Sequence, residues 1–190
     1  MIPNKTLKEI VITTKRGLSS YYLQKEGAEV SFINIRDVQN SRINAATVET
    51  VSVKETGALD KSRIQAKDII ITIKGTALKA ALADETVKGF VLSANLIAFK
   101  LSDEVLPEIV VGYLNSPKGQ KELQSRSAGA VQKALNLKSL MDIKIPVPDK
   151  KKQMSLAKYF LLSKKYDELT IREQELRKKI NNKMIEKHMH

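Results

Sequence analysis

The stretch Ile143-Lys144-Ile145-Pro146-Val147-Pro148 separates a helical region from one long charged helix that runs to the C-terminus. Residues 143–147 predict a strand, and Pro146 confines it to the edge of a sheet because proline lacks the N–H that an inner strand needs. Asp149 follows at a position where its carboxylate can cap the free N–H groups of the next helix. This order predicts a globular module, residues 1–148, mounted on a projecting helical arm, residues 149–190.

The arm carries apolar residues at spacings of four, three, seven and four, which is the heptad pattern of a coiled coil. This seam consists of Leu162, Tyr166, Leu169, Leu176 and Ile180, with Glu173 at the skipped position. A helix of roughly 35 residues is about 50 Å long at 1.5 Å per residue. Because such a helix is not stable alone in water, the pattern predicts a partner helix.

The module combines strands with a few helices. Short β-rich segments between turns predict strands at 30–35, 47–53, 69–73, 90–92 and 96–101, with the last two forming a pair and 37–44 a polar turn. Helices are predicted from Pro107 to about 114, from Ser116-Pro117 to about 126, and at 137–141, since serine followed by proline is a strong helix-start signal. The fold class is therefore α+β, a mostly antiparallel β module followed by one long coiled-coil helix.

The charge balance indicates a polyanionic partner. The chain has 33 Lys and Arg against 21 Asp and Glu, a formal net charge of +12. Such a surplus most often marks a nucleic-acid-binding protein, although a solvated basic surface is the plain alternative. An anionic membrane surface is a weaker alternative, because the arm lacks a broad apolar face with aromatic anchors.

The remaining composition argues against an enzyme and against a membrane or secreted protein. There is no cysteine, and the only two histidines lie in the last three residues, so a histidine-dependent triad or metal site is not expected. No phosphate-binding glycine motif is present, so neither a cofactor nor a metal is predicted. No signal-like or bilayer-spanning apolar run is found, which makes the cytoplasm the default expectation.

Three polar clusters have the residue types that contact DNA phosphates and base edges. The first cluster, at the end of a strand, is Asn34, Arg36 and Gln39. The second cluster resembles a phosphate-handling turn and is Lys74, Gly75, Thr76 and Lys79. The third cluster surrounds a loop of small residues and is Arg126, Ser127, Gly129, Gln132 and Lys133. For each cluster an ordinary turn with solvated polar side chains remains the alternative.

The ordered set of motifs in the second half resembles the specificity subunits of type I restriction-modification systems. The motifs are Leu106-Pro107-Glu108, Tyr113-Leu114, Ser116, Gly119-Gln120, Gly129, Gln132, Leu135, Leu140, 143–148 and Gln153, preceded by 32–38, 68–71 and 74–76. Two local departures are Lys152, where the family commonly has Glu, and the lack of an aromatic residue before Leu7. A usual family member also has two recognition domains and two helices, whereas this sequence has one of each.

The resemblance implies that the module is a target recognition domain that reads one half of a bipartite DNA sequence. The arm would pair antiparallel with a second such helix, most simply in a homodimer that reads a palindromic, interrupted site. It would also dock the methyltransferase subunit, and the motor and restriction subunit would join the complex, so neither activity would reside here. The alternative is an orphan DNA-binding module, or a decoy interaction module, that acts without the methyltransferase.

Overall fold

The computed structural model describes residues 2–75, 78–127 and 135–189. Within these ranges the strands are β1 Asn4–Thr6, β2 Val11–Arg16, β3 Leu23–Ile33, β4 Val38–Gln39, β5 Arg42–Ile43, β6 Glu49–Val53, β7 Ile69–Thr72, β8 Ala80–Leu82, β9 Val91–Leu92, β10 Leu96–Leu101 and β11 Lys144–Pro146. The helices are α1 Leu7–Ile10, α2 Gly57–Lys61, α3 Pro107–Asn115, α4 Pro117–Ser127, α5 Leu137–Met141 and α6 Lys150–Met189.

The largest sheet has six strands in the order β2-β10-β7-β8-β5-β4. Its pairs are antiparallel except β5 with β8, where Arg42 lies opposite Leu82. Strand β7 lies inside this sheet and is buried on both faces: Ile69 and Ile71 pack into the main core, and Ile70 packs into a second core on the other side. The predicted α+β class with mostly antiparallel pairing is confirmed.

A second sheet has three strands in the order β6-β3-β9, with β9 parallel to β3. The prediction that 90–92 and 96–101 pair with each other is wrong. The N–H of Leu96 donates to the carbonyl oxygen of Ser93 in a tight turn, and this turn carries the chain from one sheet into the other. Strand β10 then pairs with β2 and β7.

The strand that introduces the arm is an edge strand, as its proline predicts. β11 pairs antiparallel with β1, placing Ile145 opposite Lys5, and together they form a two-stranded sheet. The N–H of Val147 donates to the carbonyl oxygen of Pro3. The first residues of the module are thereby bonded to the segment from which the arm starts.

Helices α3 and α4 cover one face of the six-stranded sheet and begin where the local signals predict. Ser116 accepts a hydrogen bond from the N–H of Gly119 in the first turn of α4 (3.2 Å). A Cβ on Gly119 would lie 2.0 Å from the carbonyl oxygen of Tyr113, so only glycine permits this approach of the two helices. The main core therefore lies between the sheet and these helices, with Phe99, Val110 and Leu123 fully buried within it.

The arm is one uninterrupted helix of 40 residues inside the predicted range 149–190, about 60 Å long at 1.5 Å per residue, against roughly 35 residues and about 50 Å expected from the sequence. Asp149 caps it as expected, its Oδ1 accepting from the N–H of Lys152 at 2.9 Å. That hydrogen bond holds the pKa of the Asp149 carboxyl below its usual range.

Candidate nucleic-acid interface

The first cluster lies on a short turn that a buried carboxylate organises. Asp37 is fully buried and accepts hydrogen bonds from the N–H of Asn34 and from Thr47 Oγ1–H, both at 2.7 Å. The amide of Gln39 donates from Nε2 to the carbonyl oxygen of Arg36 at 2.7 Å. The carboxylate of Asp37 therefore has a structural role, and it holds the three predicted DNA-binding side chains on one turn.

Arg36 reaches out of this turn into solvent. Its side chain is 54% exposed and forms an ion pair with Glu49, whose hydrogen bond raises the pKa of the guanidinium further. Five N–H donors in a planar fork match a phosphate or a guanine edge, so Arg36 can bind an anionic ligand in place of Glu49. The guanidinium of Arg36 can therefore exchange the carboxylate of Glu49 for a phosphate or a base edge of a polyanion.

The second cluster occupies the loop between β7 and β8. Gly75 has φ +112°, a conformation that favours glycine, and both Lys74 and Lys79 have exposed side chains. The base of the loop is closed by the N–H of Lys79, which donates to Thr72 Oγ1 at 2.8 Å. Thr76 lies outside the described residues.

The third cluster is only partly described, because Gly129, Gln132 and Lys133 fall between the described ranges. Arg126 donates to Glu122 Oε1 (3.1 Å) and to the carbonyl oxygens of Ser139 (3.4 Å) and Asp142 (3.2 Å). Ser127 is buried, and its hydroxyl donates to the carbonyl oxygen of Gln124. Arg126 therefore joins the end of α4 to the segment around α5, a role that the sequence did not reveal, while Ser127 bonds back within α4.

The structure brings these segments to one region around the β7–β8 loop. A Cβ on Gly75 would be 3.7 Å from Cδ1 of Ile35, so the second cluster lies against the turn that carries the first. Leu135 lies two positions after Lys133, the last residue of the third cluster. Its N–H donates to the carbonyl oxygen of Ile73 at 2.9 Å. Segments separated by about a hundred residues in sequence thus meet at one end of the six-stranded sheet.

Two side chains that the sequence analysis left without a role hold this loop in place. Asn115 accepts from the N–H of Ala80 (2.9 Å) and donates to Ser41 Oγ (2.8 Å). Gln120 donates from Nε2 to the carbonyl oxygens of Leu78 (2.7 Å) and Leu114 (2.8 Å). Gln120 was noted as a motif residue, whereas no local signal distinguishes Asn115, whose partners lie 35 and 74 positions earlier.

The root of the arm is fastened by Gln153, which is 2% exposed. Its Oε1 accepts from the N–H of Leu106 at 2.9 Å, and its Nε2 donates to the carbonyl oxygens of Glu104 (3.1 Å) and Pro148 (2.9 Å). One side chain therefore satisfies backbone groups of the segment before α3 and of the segment before α6. This explains why a glutamine at this position joins the helix to the module.

The seam of the arm faces solvent. Its apolar residues are between 45% (Leu176) and 71% (Tyr166) exposed, and Glu173 accepts from Arg177 along the same helix at 2.7 Å. Phe160 and Ile171 line the side that faces the module, together with Glu168. At about 100° per residue, Leu162 lies some 200° from Phe160, so the seam is on the side of the arm that faces away from the module.

Two further observations concern the described residues alone. No group of three or more His, Cys, Asp and Glu side chains among them is placed to hold a metal ion. Of the helices described, none has both the length and the apolar character that crossing a membrane requires.

Comparison with known proteins agrees with the resemblance noted in the sequence. Residues 3–182 match the family model of the type I restriction modification DNA specificity domain. The specificity subunit of the type I restriction enzyme EcoBI from Escherichia coli is 24% identical over 187 residues, which are 94% of this chain and 37% of that protein.

Solved structures share the fold. A crystal structure of the type I restriction-modification S subunit from M. genitalium has a TM-score of 0.60 at 16% identity, covering 93% of this chain and 42% of that one. The HsdS subunit from Thermoanaerobacter tengcongensis has a TM-score of 0.60 at 17% identity, covering 90% and 39%. The chain spans about two fifths of the length of these relatives. The family match extends over both the module and the arm, and the chain therefore belongs to the type I restriction modification DNA specificity domain family.

Proposed function

We propose that this chain is the sequence-reading component of a type I restriction-modification complex, and that its module, residues 1–148, reads one half of a bipartite DNA target. The observation that carries the proposal is the meeting of the first and second clusters at one end of the six-stranded sheet. The family match supports the kind of ligand, which is double-stranded DNA.

The two clusters have different tasks in this proposal. Lys74, Lys79 and the backbone around Gly75 bind phosphates, because exposed ammonium groups and a glycine turn allow close approach of the DNA backbone. Asn34 and Gln39 contact base edges, since side-chain amides pair with adenine, and Arg36 contacts guanine or a phosphate after leaving Glu49. Gln132, Lys133 and Gly129 of the third cluster remain predicted contacts, and Arg126 and Ser127 support them from the end of α4.

The arm, residues 149–190, provides the assembly function. Its outward seam pairs antiparallel with a second long helix, which a second copy of this chain supplies most simply. Two modules related by a two-fold axis then read an interrupted palindrome. The same helices recruit the methyltransferase subunit, which modifies adenine, and the motor and restriction subunit, so this chain itself is not an enzyme. A complex of this kind acts on DNA in the cytoplasm.

A reconstitution experiment tests the proposal. The chain is combined with its cognate methyltransferase subunit, and random-sequence duplex DNA is methylated and sequenced. We expect methylation at one bipartite motif. A homodimer that binds DNA but never joins the methyltransferase supports the orphan alternative instead, and methylation without sequence preference contradicts the proposal.

The salt dependence of DNA binding tests whether Lys74 and Lys79 contact phosphates. Replacing Lys74 and Lys79 by alanine should reduce the slope of log K against log salt by about 1.8, because each lost phosphate contact removes about 0.9 from it. Lys100→Ala is the matched control: Lys100 is exposed on β10 at the end of the strand remote from the β7–β8 loop. An unchanged slope in the double variant would remove these lysines from the interface.

A further inference from the structure

The arm rests on its own module over its first half only. Gln153 fastens the root, Phe160 packs against Gly112 of α3, and Glu168 forms an ion pair with Arg42 of β5. From Ile171 to His188 every described side chain is exposed. The direction in which the free half projects is therefore set by contacts between residues 150 and 171.

The apolar part of this contact does not define the direction closely. A groove of about 250 Å³, open to solvent, runs between arm and module, and its walls include Leu82, Val111, Leu161 and Ile171. A Cβ on Gly112 would lie 2.6 Å from Cζ of Phe160, 2.8 Å from its Cε2 and 3.1 Å from its Cε1, so the edge of the ring packs on Gly112 beside this groove. Because close packing resists rotation and a groove interrupts that packing, a polar contact beyond the groove adds to the selection of one angle.

Arg42 supplies that contact from a stiff support. It follows a two-residue turn in which Asn40 (φ +47°) and Ser41 (φ +62°) both have positive φ, the geometry of a tight hairpin. The carbonyl oxygen of Ser41 accepts from the N–H of Leu82 at 3.0 Å, and its hydroxyl oxygen accepts from Asn115 Nδ2 at 2.8 Å. The guanidinium is thus presented from a hairpin that is bonded to its neighbours.

Glu168 lies closer to the root of the arm than to its tip, so a small change of angle at the ion pair becomes a larger displacement at the tip. Glu168 lies 15 residues beyond Gln153, about 22 Å along the helix, and Met189 lies about 54 Å beyond Gln153. A rotation of about 10° about the root would move the tip by about 9 Å across the helix axis. Where the arm is inclined to the DNA, this displaces the second half-site along the duplex by up to about three base pairs, at about 34 Å per ten base pairs. A small change of angle at Arg42 is therefore large at the far end of the arm.

We infer that Arg42 and Glu168 are positioning residues that set the angle between the module and the arm, and thereby the number of base pairs between the two half-sites. The inference rests on the proposed function for its readout in DNA, but the angle itself is a property of the chain. The ion pair lies outside the seam and the second cluster, whereas Arg42 is the cross-strand partner of Gln39, a residue of the first cluster. A change at Glu168, which lies on the arm, therefore separates the angle from base preference.

Charge reversal tests the inference. The variants are Arg42→Glu, Glu168→Arg and the double exchange of both, each in the full chain. Glu175→Arg is the matched control, because Glu175 is one heptad further along the same side of the arm and its ion pair within the described residues is with Arg172 of its own helix. Two measurements are made: the spacer lengths selected from random duplex DNA, and the distance distribution between spin labels on α4 and on the arm tip.

Each single reversal should broaden the label distances and shift or widen the selected spacer by about one to three base pairs. In Glu168→Arg, which leaves the β4–β5 hairpin unchanged, the base preferences of the half-sites should stay as in the wild type, and the double exchange should restore the label distances and the spacer. Unchanged distances in both single variants, or an equal change in Glu175→Arg, would overturn the inference. Loss of base preference together with spacer preference in Glu168→Arg would also overturn it, since that is the result of general damage.

Failure of the proposed function gives a different result. In that case the wild type selects no bipartite sequence at all, while the label distances still report whether the ion pair sets the angle.

Discussion

Removal of the Gln153 side chain is the most informative perturbation of the junction between module and arm. In Gln153→Ala the N–H of Leu106 loses its acceptor, and the carbonyl oxygens of Glu104 and Pro148 lose a donor. Each such bond contributes about 1 kcal/mol net, and a buried group left without a partner costs about 1–3 kcal/mol. Because water can reach part of the space that the side chain leaves, we expect the free energy of unfolding to fall by about 3 kcal/mol.

The assay is urea unfolding followed by circular dichroism, at one fixed protein concentration because pairing of the arm would contribute to stability. A loss of about 3 kcal/mol corresponds to about 10 °C in the melting temperature of a domain of this size. Amide hydrogen exchange at Leu106 supplies a local readout, since this N–H should exchange much faster in the variant. Lys151→Ala, an exposed neighbour in the same first turn, is the matched control and should stay within about 0.5 kcal/mol of the wild type.

Gln153→Glu adds a check on the geometry. The new carboxylate keeps an acceptor for the N–H of Leu106 but turns an oxygen towards the two carbonyl oxygens. At neutral pH this variant should therefore be at least as unstable as Gln153→Ala. Its deficit should shrink in acid, where a protonated carboxyl can donate to one of them. A Gln153→Ala protein within about 0.5 kcal/mol of the wild type, with unchanged exchange at Leu106, would refute the assigned role of this side chain.

Three further perturbations probe the seam, the cap and the helix packing. Leu169→Asp combined with Leu176→Asp should leave a folded module but abolish pairing of the arm, because two charges would enter the seam. A dimer that sedimentation analysis still finds for this variant would contradict the prediction that the arm pairs through the seam. The lowered pKa of Asp149 means that its stabilisation of α6 is present above the usual carboxyl range and is lost as pH falls through the lowered pKa. Asp149→Asn should therefore lack this part of the acid-induced loss of helicity seen by circular dichroism, and an identical acid profile would argue against the cap. Gly119→Ala should cost about 1–3 kcal/mol because its Cβ would meet a backbone oxygen of α3 at 2.0 Å, whereas Gly57→Ala, with open space around it, should be close to neutral in the same thermal unfolding assay.

Features that depend on a few adjacent residues were predictable from the sequence. The starts of α3 and α4, the short helix α5, the edge strand β11 and the cap at Asp149 all follow from signals that act within one turn. The type of each element was therefore accessible without knowledge of the fold. Family membership was accessible too, because it rests on the order of such motifs along the chain.

Features that depend on distant partners were not predictable. The segment 37–44 was expected to be a polar turn, yet it contains β4 and β5, because two-residue strands are too short to show a periodicity. Likewise Arg126 is a predicted DNA contact, and the sequence does not show that carbonyl oxygens 13 and 16 positions later also bind its guanidinium. For Arg126, and for β5 through its pairing with β8, the deciding partner lies in a segment that local pattern cannot bring near.

The arm illustrates the division most directly. Its helical character and its seam are predicted by the heptad spacing, since helical periodicity relates residues three and four positions apart. Its cap is predicted by Asp149 alone, at the position before the first helical residue. Which side of the helix meets the module was decided only by the fold, where Gln153, Phe160 and Glu168 find partners in segments 47 to 126 positions away. The direction of the arm is therefore a property of tertiary packing: it depends on where the β4–β5 hairpin and α3 lie, and no spacing along the chain encodes that.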